Sequence, residues 1–371
     1  MKVIIAAAGT GGHINPGIAI ANKIEKENPG SDIRFIATGK KLEEDLISKA
    51  GYKSYAIEAY GFSKKISLNN LKKNIKTIRG FKQAKKILQE FKPDIVIGTG
   101  GYICGSVIYS AKKLGIPTLL HESNAYPGLA IRLLQKYTDT ILVGIEEAKS
   151  YLRKAKRVIY TGTPTKVEPL DLSLKAKNKI LKDLALEKDL PLVLIFGGSQ
   201  GAKKINDCVT NIIIKEKNDN YQIVWSSGQE QYDLIKKELK KNNLNIENLK
   251  NAKVLPYIYN MAEVMSVSSL VVARSGAMTL TELALLGKPA IFIPLPSSTA
   301  NRQEDNARVF EKKGAAKIIL NDDVTDENLN SMIKSIISDK NIIKDMSLAS
   351  KKLAIYDVED RIYNEIKRLV G

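Results

Sequence analysis

The sequence is poor in the residues that most often announce an active site. Two cysteines in 371 residues, Cys104 and Cys208, are too few and too far apart for a disulfide scaffold or a thiolate metal site, and a reducing cytoplasm fits. His13 and His121 are the only histidines. With no His-Glu-x-x-His pair, no Asp-x-Asp and no Cys/His cluster, a metal held by protein ligands is not expected. No stretch reaches the roughly eighteen uninterrupted apolar residues of a membrane span. The apolar run Val3–Ala8 is short and passes straight into a glycine-rich turn, so it reads as a first strand and not as a signal peptide. Two nucleotide signatures are absent as well. The glycines at 9, 11, 12 and 17 miss the Gly-x-Gly-x-x-Gly spacing of dinucleotide-binding turns, and no turn ends in Gly-Lys-Ser/Thr. A nicotinamide dehydrogenase and a P-loop enzyme are therefore disfavoured.

What is present is an ordinary globular composition, 44% hydrophobic and 26% charged, in a chain long enough for two domains. The formal net charge of +18 is unevenly placed. Residues 1–165 hold 27 Lys and Arg against 13 Asp and Glu, a net +14, whereas residues 166–371 hold 31 against 27, a net +4. The excess points to an anionic partner of the N-terminal half. It is densest over 61–89, where nine basic residues meet no acid, and Leu68, Leu71, Ile75, Ile78 and Phe81 recur at helical spacing. A basic amphipathic helix suits an anionic membrane surface; a solvated helix with an ordinary core face has the same spacing. No aromatic-rich strand or recognition signature stands beside it to favour nucleic acid.

Along the chain, short apolar runs alternate with helical stretches, the pattern of parallel α/β sheets. Val3–Ala8 leads through Gly9-Thr10-Gly11-Gly12-His13 into a helix predicted from about Pro16 to Glu27. Asp94–Gly98 leads into a second such turn, Thr99-Gly100-Gly101-Tyr102, and Pro117–Leu120 into a sharp loop, His121-Glu122-Ser123-Asn124, that runs on to Gly128. Ile141–Val143 and Val158–Tyr160 close a first set, and Thr161-Gly162-Thr163-Pro164 marks the expected hinge. A second set opens with Leu192–Phe196 and the turn Gly197-Gly198-Ser199-Gln200-Gly201-Ala202, then passes Gln222–Trp225 and Lys253–Tyr257 to Leu270–Ala273. Domains are expected at 1–163 and 164–350, with 351–371 packing back on the first. Ligands of open α/β sheets bind at the carboxyl ends of the strands, so two such sheets face to face would gather these turns around one cleft.

One stretch organises the rest. Arg274-Ser275-Gly276-Ala277 interrupts a strand with small residues, a helix is predicted from Met278 to Leu286, and Gly287 ends it. Such a helix start offers unsatisfied N–H groups and a positive dipole end, which suit a phosphate or diphosphate. Glu282, about one turn further in, could accept hydrogen bonds from ribose hydroxyls. In isolation an ordinary βα unit would look the same. Both histidines fall in turns at strand ends, which for His13 favours function over core packing. A neutral imidazole there could take a proton from an acceptor hydroxyl. Glu122 is a second candidate base, or a loop carboxylate held in an ion pair.

In order, Gly9–His13, Gly98–Tyr102, His121–Asn124, Gly197–Ala202, Arg274–Thr279 with Glu282, and Asn301–Ala307 resemble the MurG family over nearly the whole chain. These are membrane-associated bacterial glycosyltransferases that add N-acetylglucosamine to lipid I, giving the peptidoglycan precursor lipid II. The resemblance implies a GT-B fold: two Rossmann-like α/β domains with parallel sheets facing across a cleft, the first for the lipid acceptor and the second for UDP-N-acetylglucosamine. It implies that Thr10, Gly11 and Gly12 face the donor sugar and diphosphate, that Asn124 bonds the sugar, that Ser199 contacts the phosphate, and that Ile258 meets the uracil through its backbone. Ala277, Met278 and Thr279 would cradle the diphosphate, Glu282 would hold the ribose, and Gln303 would read the sugar hydroxyls. His13 resembles the family's candidate base, with Glu122 and with Gly100, Gly101 and Tyr102 on the acceptor side. Lys166 stands where the pattern usually has Arg, which turns a bidentate contact to the donor into a point charge. The expected reaction is inverting, with UDP-N-acetylglucosamine as donor substrate, no cofactor and no protein-held metal. Its expected place is the cytoplasmic face of the bacterial membrane, docked through the basic 61–89 region, with no nucleic-acid partner. A UDP-sugar epimerase or glycolipid synthase of the same architecture, and a non-catalytic nucleotide-binding membrane protein, are the competing readings.

Overall fold

The computed structural model describes residues 1–59, 68–170, 172–187, 189–198, 200–296 and 301–371, with backbone alone for 68–76. The chain divides into two compact units, Met1–Lys166 with Ile355–Gly371, and Val167–Ala354. Among the described residues no helix is long and apolar enough to cross a membrane.

The first unit runs β1 (Lys2–Ala7), α1 (Gly11–Glu27), β2 (Asp32–Ala37), α2 (Lys41–Lys49), β3 (Lys53–Ala56), α3 (Leu68–Phe91), β4 (Ile95–Gly100), α4 (Ile103–Lys113), β5 (Thr118–Glu122), α5 (Leu129–Leu134), β6 (Thr140–Val143) and β7 (Val158–Tyr160). Its strands form one parallel sheet in the order β3-β2-β1-β4-β5-β6-β7. Because side chains alternate across a strand, β1 feeds two cores. Val3, Ile5 and Ala7 join Ile14, Ile18 and Ile24 of α1 on one face, while Ile4 and Ala6 join Val107 and Ile108 of α4 on the other. With helices on both faces, the strands can be apolar throughout.

The second unit runs α6 (Leu174–Asp183), β8 (Leu192–Phe196), α7 (Lys203–Ile214), β9 (Gln222–Ser226), α8 (Gln229–Lys241), β10 (Ala252–Leu255), α9 (Met261–Val267), β11 (Leu270–Ala273), α10 (Ala277–Leu286), β12 (Ala290–Phe292), α11 (Arg302–Lys312), β13 (Ala316–Ile318), α12 (Asp326–Ile337) and α13 (Lys340–Lys351). Its sheet is again parallel, in the order β10-β9-β8-β11-β12-β13. The final helix, α14 (Val358–Val370), belongs to the first unit. Val358, Ile362, Tyr363 and Ile366 enter the α1-side core, each buried aliphatic side chain contributing about 1.5–3 kcal/mol. The ion pairs Lys23–Asp360 at 2.6 Å and Arg157–Glu365 at 2.8 Å fringe this contact, each with one exposed partner, and add little.

Two boundaries differ from the sequence reading in ways that bear on the site. Helix α1 begins at Gly11 and not near Pro16, with the His13 and Ile14 N–H groups donating to Thr10 O at 3.0 and 3.2 Å. Gly11 and Gly12 are thus the first helical turn. Strand β5 extends through Glu122, so His121 and Glu122 lie on the strand's last positions and not in the loop after it.

The second core also holds a polar pin. Asn206, fully buried on α7, accepts from the Trp225 indole N–H at 3.1 Å and donates to Ser227 O at 2.8 Å. Asn206→Ala strands both groups inside the core, a loss of about 1–3 kcal/mol. Urea unfolding followed by the fluorescence of Trp225, the single tryptophan, measures it; an unchanged midpoint would refute the pin.

Candidate active site

In each sheet the strand order reverses beside the first strand of its unit, between β1 and β4 and between β8 and β11. Connections leave in opposite directions at such a point, which opens a crevice at the carboxyl ends of the two strands. The helices that start there are α1, α4, α7 and α10. Their N-cap residues Thr10, Tyr102, Ala202 and Gly276 make no side-chain cap bond, and none of the four has an acid in its first turn. At the other helices whose N-cap residues are described, the positive end is answered. Ser173, Thr325 and Asp339 cap α6, α12 and α13, and acids begin α2, α8, α9, α11 and α14. The short α5 has the Glu122 carboxylate accepting from Gly128 N–H at 2.7 Å. Among the helices whose N-cap residues are described, the switch points are therefore where the ends are left open to an anion.

The first unit packs its two turns tightly. The His13 ring lies against Gly100, where an added Cβ would sit 2.1 Å from Nδ1. Thr99 Oγ1 donates to His13 O at 2.7 Å, so the residue is held through backbone as well as ring. Behind them, the fully buried Glu43 carboxylate accepts from Gly9 N–H at 2.7 Å, Thr38 N–H at 2.7 Å and the Thr38 hydroxyl. Nothing in the spacing of α2 singles out Glu43, yet it sets the turn that precedes Thr10.

Beside β4, the end of β5 is organised by Glu122. One of its oxygens accepts from Asn124 N–H at 2.9 Å and Asn124 Nδ2 at 2.8 Å, and the other from Gly128 N–H. Both oxygens are thus engaged in shaping the 122–128 loop. His121 is buried, with Nε2 at 3.0 Å from Gly162 O and Nδ1 at 3.4 Å from Ser123 Oγ. A carbonyl only accepts, so Nε2 carries the proton and Nδ1 accepts from the serine. Burial holds its pKa below the usual imidazole value, and the ring is neutral.

In the second unit, the turn after β8 is closed by Gly201 N–H donating to Gly198 O at 2.9 Å; Ser199 within it lies outside the described residues. A Cβ on Gly201 would sit 2.1 Å from Ser227 O, so this turn presses on the end of β9. Ile258 is buried between the exposed Tyr257 and Tyr259. At the β11 turn, Ser275 is fully buried, and its hydroxyl donates to Gln303 O at 2.7 Å. Gln303 Oε1 accepts from Leu295 N–H at 2.9 Å. Arg274 donates to Ile293 O, Pro294 O and Asn321 Oδ1 at 2.8–2.9 Å. Ala277, Met278 and Thr279 form the half-buried first turn of α10, with Glu282 half-buried one turn on. No group of three or more His, Cys, Asp or Glu able to hold a metal occurs among the described residues.

Comparison with known proteins agrees with this geometry. The model of the glycosyltransferase family 28 N-terminal domain matches residues 3–143, and that of its C-terminal domain matches residues 192–362. A relative from Acetivibrio thermocellus, named UDP-N-acetylglucosamine–N-acetylmuramyl-(pentapeptide) pyrophosphoryl-undecaprenol N-acetylglucosamine transferase, is 41% identical over 100% of this chain and 98% of its own. One of the same name from Bacillus cereus is 41% identical over 100% of both chains. The solved structure of Acinetobacter baumannii MurG matches with a TM-score of 0.78 at 25% identity, covering 99% of each chain. The chain belongs to the MurG family of glycosyltransferases. Its fold is GT-B, with parallel sheets of seven and six strands.

Within this MurG-family chain, the structure brings some of the sequence-nominated residues together and leaves others apart. His13 is joined to Gly100, Asn124 to Glu122, and Gln303 to the turn that precedes Ala277. Thr10 and Tyr102 are exposed, Tyr102 at 70%, at the open ends of α1 and α4. Lys166 is exposed at the last residue of the first unit's N-terminal segment. Glu43, Ser275 and Asn306 escaped the sequence reading as site residues, because each acts through a backbone partner that no motif spacing reveals.

The neutral His121 carries a pH signature. Below about pH 6.5 the unfolded chain takes up a proton that the folded ring resists, so stability is full above that pH and falls as pH drops through it. The loss is at most about 1.4 kcal/mol per pH unit. Urea unfolding of wild type and His121→Gln at pH 7.5 and 5.5 should show a smaller acid loss in the variant. Equal losses would mean that the ring charges freely in the fold.

Proposed function

We propose that this chain transfers N-acetylglucosamine from UDP-N-acetylglucosamine to undecaprenyl-diphospho-muramoyl-pentapeptide, lipid I, giving lipid II for peptidoglycan synthesis. The observation that carries the reading is the start of α10: a helix end at a switch point with no cap bond, no acid in its first turn, and a carboxylate one turn in. It supports a diphosphate at Ala277, Met278 and Thr279 with the ribose hydroxyls on Glu282. Gln303 and Asn124 are the proposed sugar contacts, Ile258 the uracil contact through its backbone, Ser199 a phosphate contact, and Lys166 a point charge toward the donor. Thr10, Gly11 and Gly12 face the donor sugar and diphosphate. Gly100, Gly101 and Tyr102 belong to the acceptor side, where the open end of α4 suits the acceptor's own diphosphate.

The proposed step is a direct, inverting displacement. A base takes the proton of the muramoyl 4-hydroxyl, its oxygen bonds to the sugar C1, and the C1–oxygen bond to the diphosphate breaks. The charge that appears on UDP is met by the N–H groups that begin α10, with no protein-held metal or cofactor. His13 and Glu122 are the two proposed bases; the Glu122 carboxylate already accepts from the Asn124 and Gly128 N–H groups.

The basic stretch is the proposed contact with the anionic inner face of the cell membrane, where the lipid acceptor lies. Much of 61–89 lies outside the described side chains, but Arg79, Lys82, Lys85 and Lys86 are exposed, and Ile78 is 58% exposed. Replacing the four cations with Glu should abolish sedimentation with vesicles rich in anionic lipid while turnover of a soluble acceptor persists; undiminished sedimentation would remove this region from the proposal.

UDP release from UDP-N-acetylglucosamine, with and without a soluble lipid I analogue, tests the reaction itself. Release should require the acceptor, and Glu282→Ala should lower kcat/KM roughly 10- to 100-fold, the size of lost hydrogen bonds to a charged group. Conversion of the donor without acceptor would indicate an epimerase, and UDP binding without turnover a non-catalytic protein.

A further inference from the structure

We infer that Ser275 is a positioning residue that locks the sugar-reading Gln303 to the diphosphate-binding turn, so that the two halves of the donor are recognised by one rigid bracket. The inference rests on the proposed roles of α10 and Gln303. Ser275 is the residue before the N-cap of α10, yet its hydroxyl does not cap that helix. It reaches instead to α11 and donates to Gln303 O at 2.7 Å. The return bond comes from the same helix, Asn306 Nδ2 donating to Ser275 O at 3.1 Å. Both residues are fully buried. Gln303 and Asn306 are three positions apart, so the two bonds grip one turn of α11 from one side. The flank is fixed as well, because Arg274 holds Ile293 O and Pro294 O, and Leu295 N–H holds Gln303 Oε1. That last bond turns the carboxamide oxygen toward the loop and the amide nitrogen away from it. A serine needed only for helix stability would serve α10 itself; here the hydroxyl joins the turn that meets the diphosphate to the residue that meets the sugar.

The consequence is a separation of affinities. UDP carries the diphosphate without the sugar, so loss of the Ser275 hydroxyl should leave UDP binding intact and weaken UDP-N-acetylglucosamine binding. Calorimetric titration of the full chain with each nucleotide reads this directly, alongside KM, kcat and thermal unfolding. For Ser275→Ala the expected result is a UDP Kd within about twofold of wild type and a UDP-N-acetylglucosamine Kd raised roughly five- to tenfold, the scale of one neutral hydrogen bond. KM for the donor should rise by a similar factor. Ser275→Cys, a weaker donor on a slightly larger side chain, should fall between, and it carries the test if the alanine variant does not fold. Equal weakening of both nucleotides would overturn the inference, because Ser275 would then merely support α10. So would an unchanged ratio of the two constants in Ser275→Ala while Gln303→Ala shifts it. If Gln303→Ala leaves the ratio unchanged, the sugar-reading role on which the inference rests fails instead.

Discussion

A Cβ on Gly100 would stand 2.1 Å from the ring nitrogen of His13, and one on Gly201 would stand 2.1 Å from Ser227 O. Both contacts lie where the chain turns from a central strand toward its helix at the point of strand reversal, or against the neighbouring strand there. Parallel strands about 4.8 Å apart bring successive turns close together only if the residues at the contact lack side chains. Once they are that close, four helix starts open into the crevices of two sheets, none with a side-chain cap bond or a first-turn acid. The apolar strands, the two-sided cores and the return of α14 all serve to hold those turns in register. Ala7 pairs with Gly100 across a bulge at Ala6/Ala7, so even the ladder is adjusted at this spot.

The buried carboxylates show how much of the site is scaffolding. Glu43 and Glu122 each accept several hydrogen bonds, mostly from backbone N–H groups, and a buried carboxylate so satisfied fixes loop shape at small net cost. Glu122 shapes the loop that carries Asn124, and Glu43 shapes the turn before Thr10. At the edges of these scaffolds stand the half-buried His13 in the first unit and the half-buried start of α10 in the second.

What could be read from the sequence divides along physical lines. Strands fully buried in parallel sheets are apolar runs with sharp ends, and Leu192–Phe196 and Leu270–Ala273 have the bounds that the sequence suggests. The start of α1 was hidden because Gly11 and Gly12 are poor helix formers, and the packing of Ile14 and Ile18, not propensity, decides that turn. The length of β5 was hidden because His121 and Glu122 are polar residues on a buried strand, made tolerable by Gly162 O and by the loop N–H groups that they bind. The strand-to-helix turn was legible at Gly276–Glu282, where small residues and one carboxylate follow a strand. The bracket from Ser275 to Gln303 was not, since its acceptor is a main-chain oxygen 28 residues away.

The open helix ends carry the strongest argument, because they cost stability. Replacing a good N-cap typically loses about 0.5–2 kcal/mol, and an acid near the start of a helix adds about 0.3–1 kcal/mol more. The chain has the means to collect both, as the capping box of Thr325 and Asn328 on α12 shows, with Asp326 and Glu327 beside it. It forgoes them at α1, α4, α7 and α10 together. Random omission would scatter such ends over the surface, whereas among the helices whose N-cap residues are described they stand at the two strand reversals. A bound diphosphate would supply both missing terms at once, accepting the N–H groups and answering the dipole. At α10 the groups that weaken the empty protein would then be the ones that meet the proposed diphosphate.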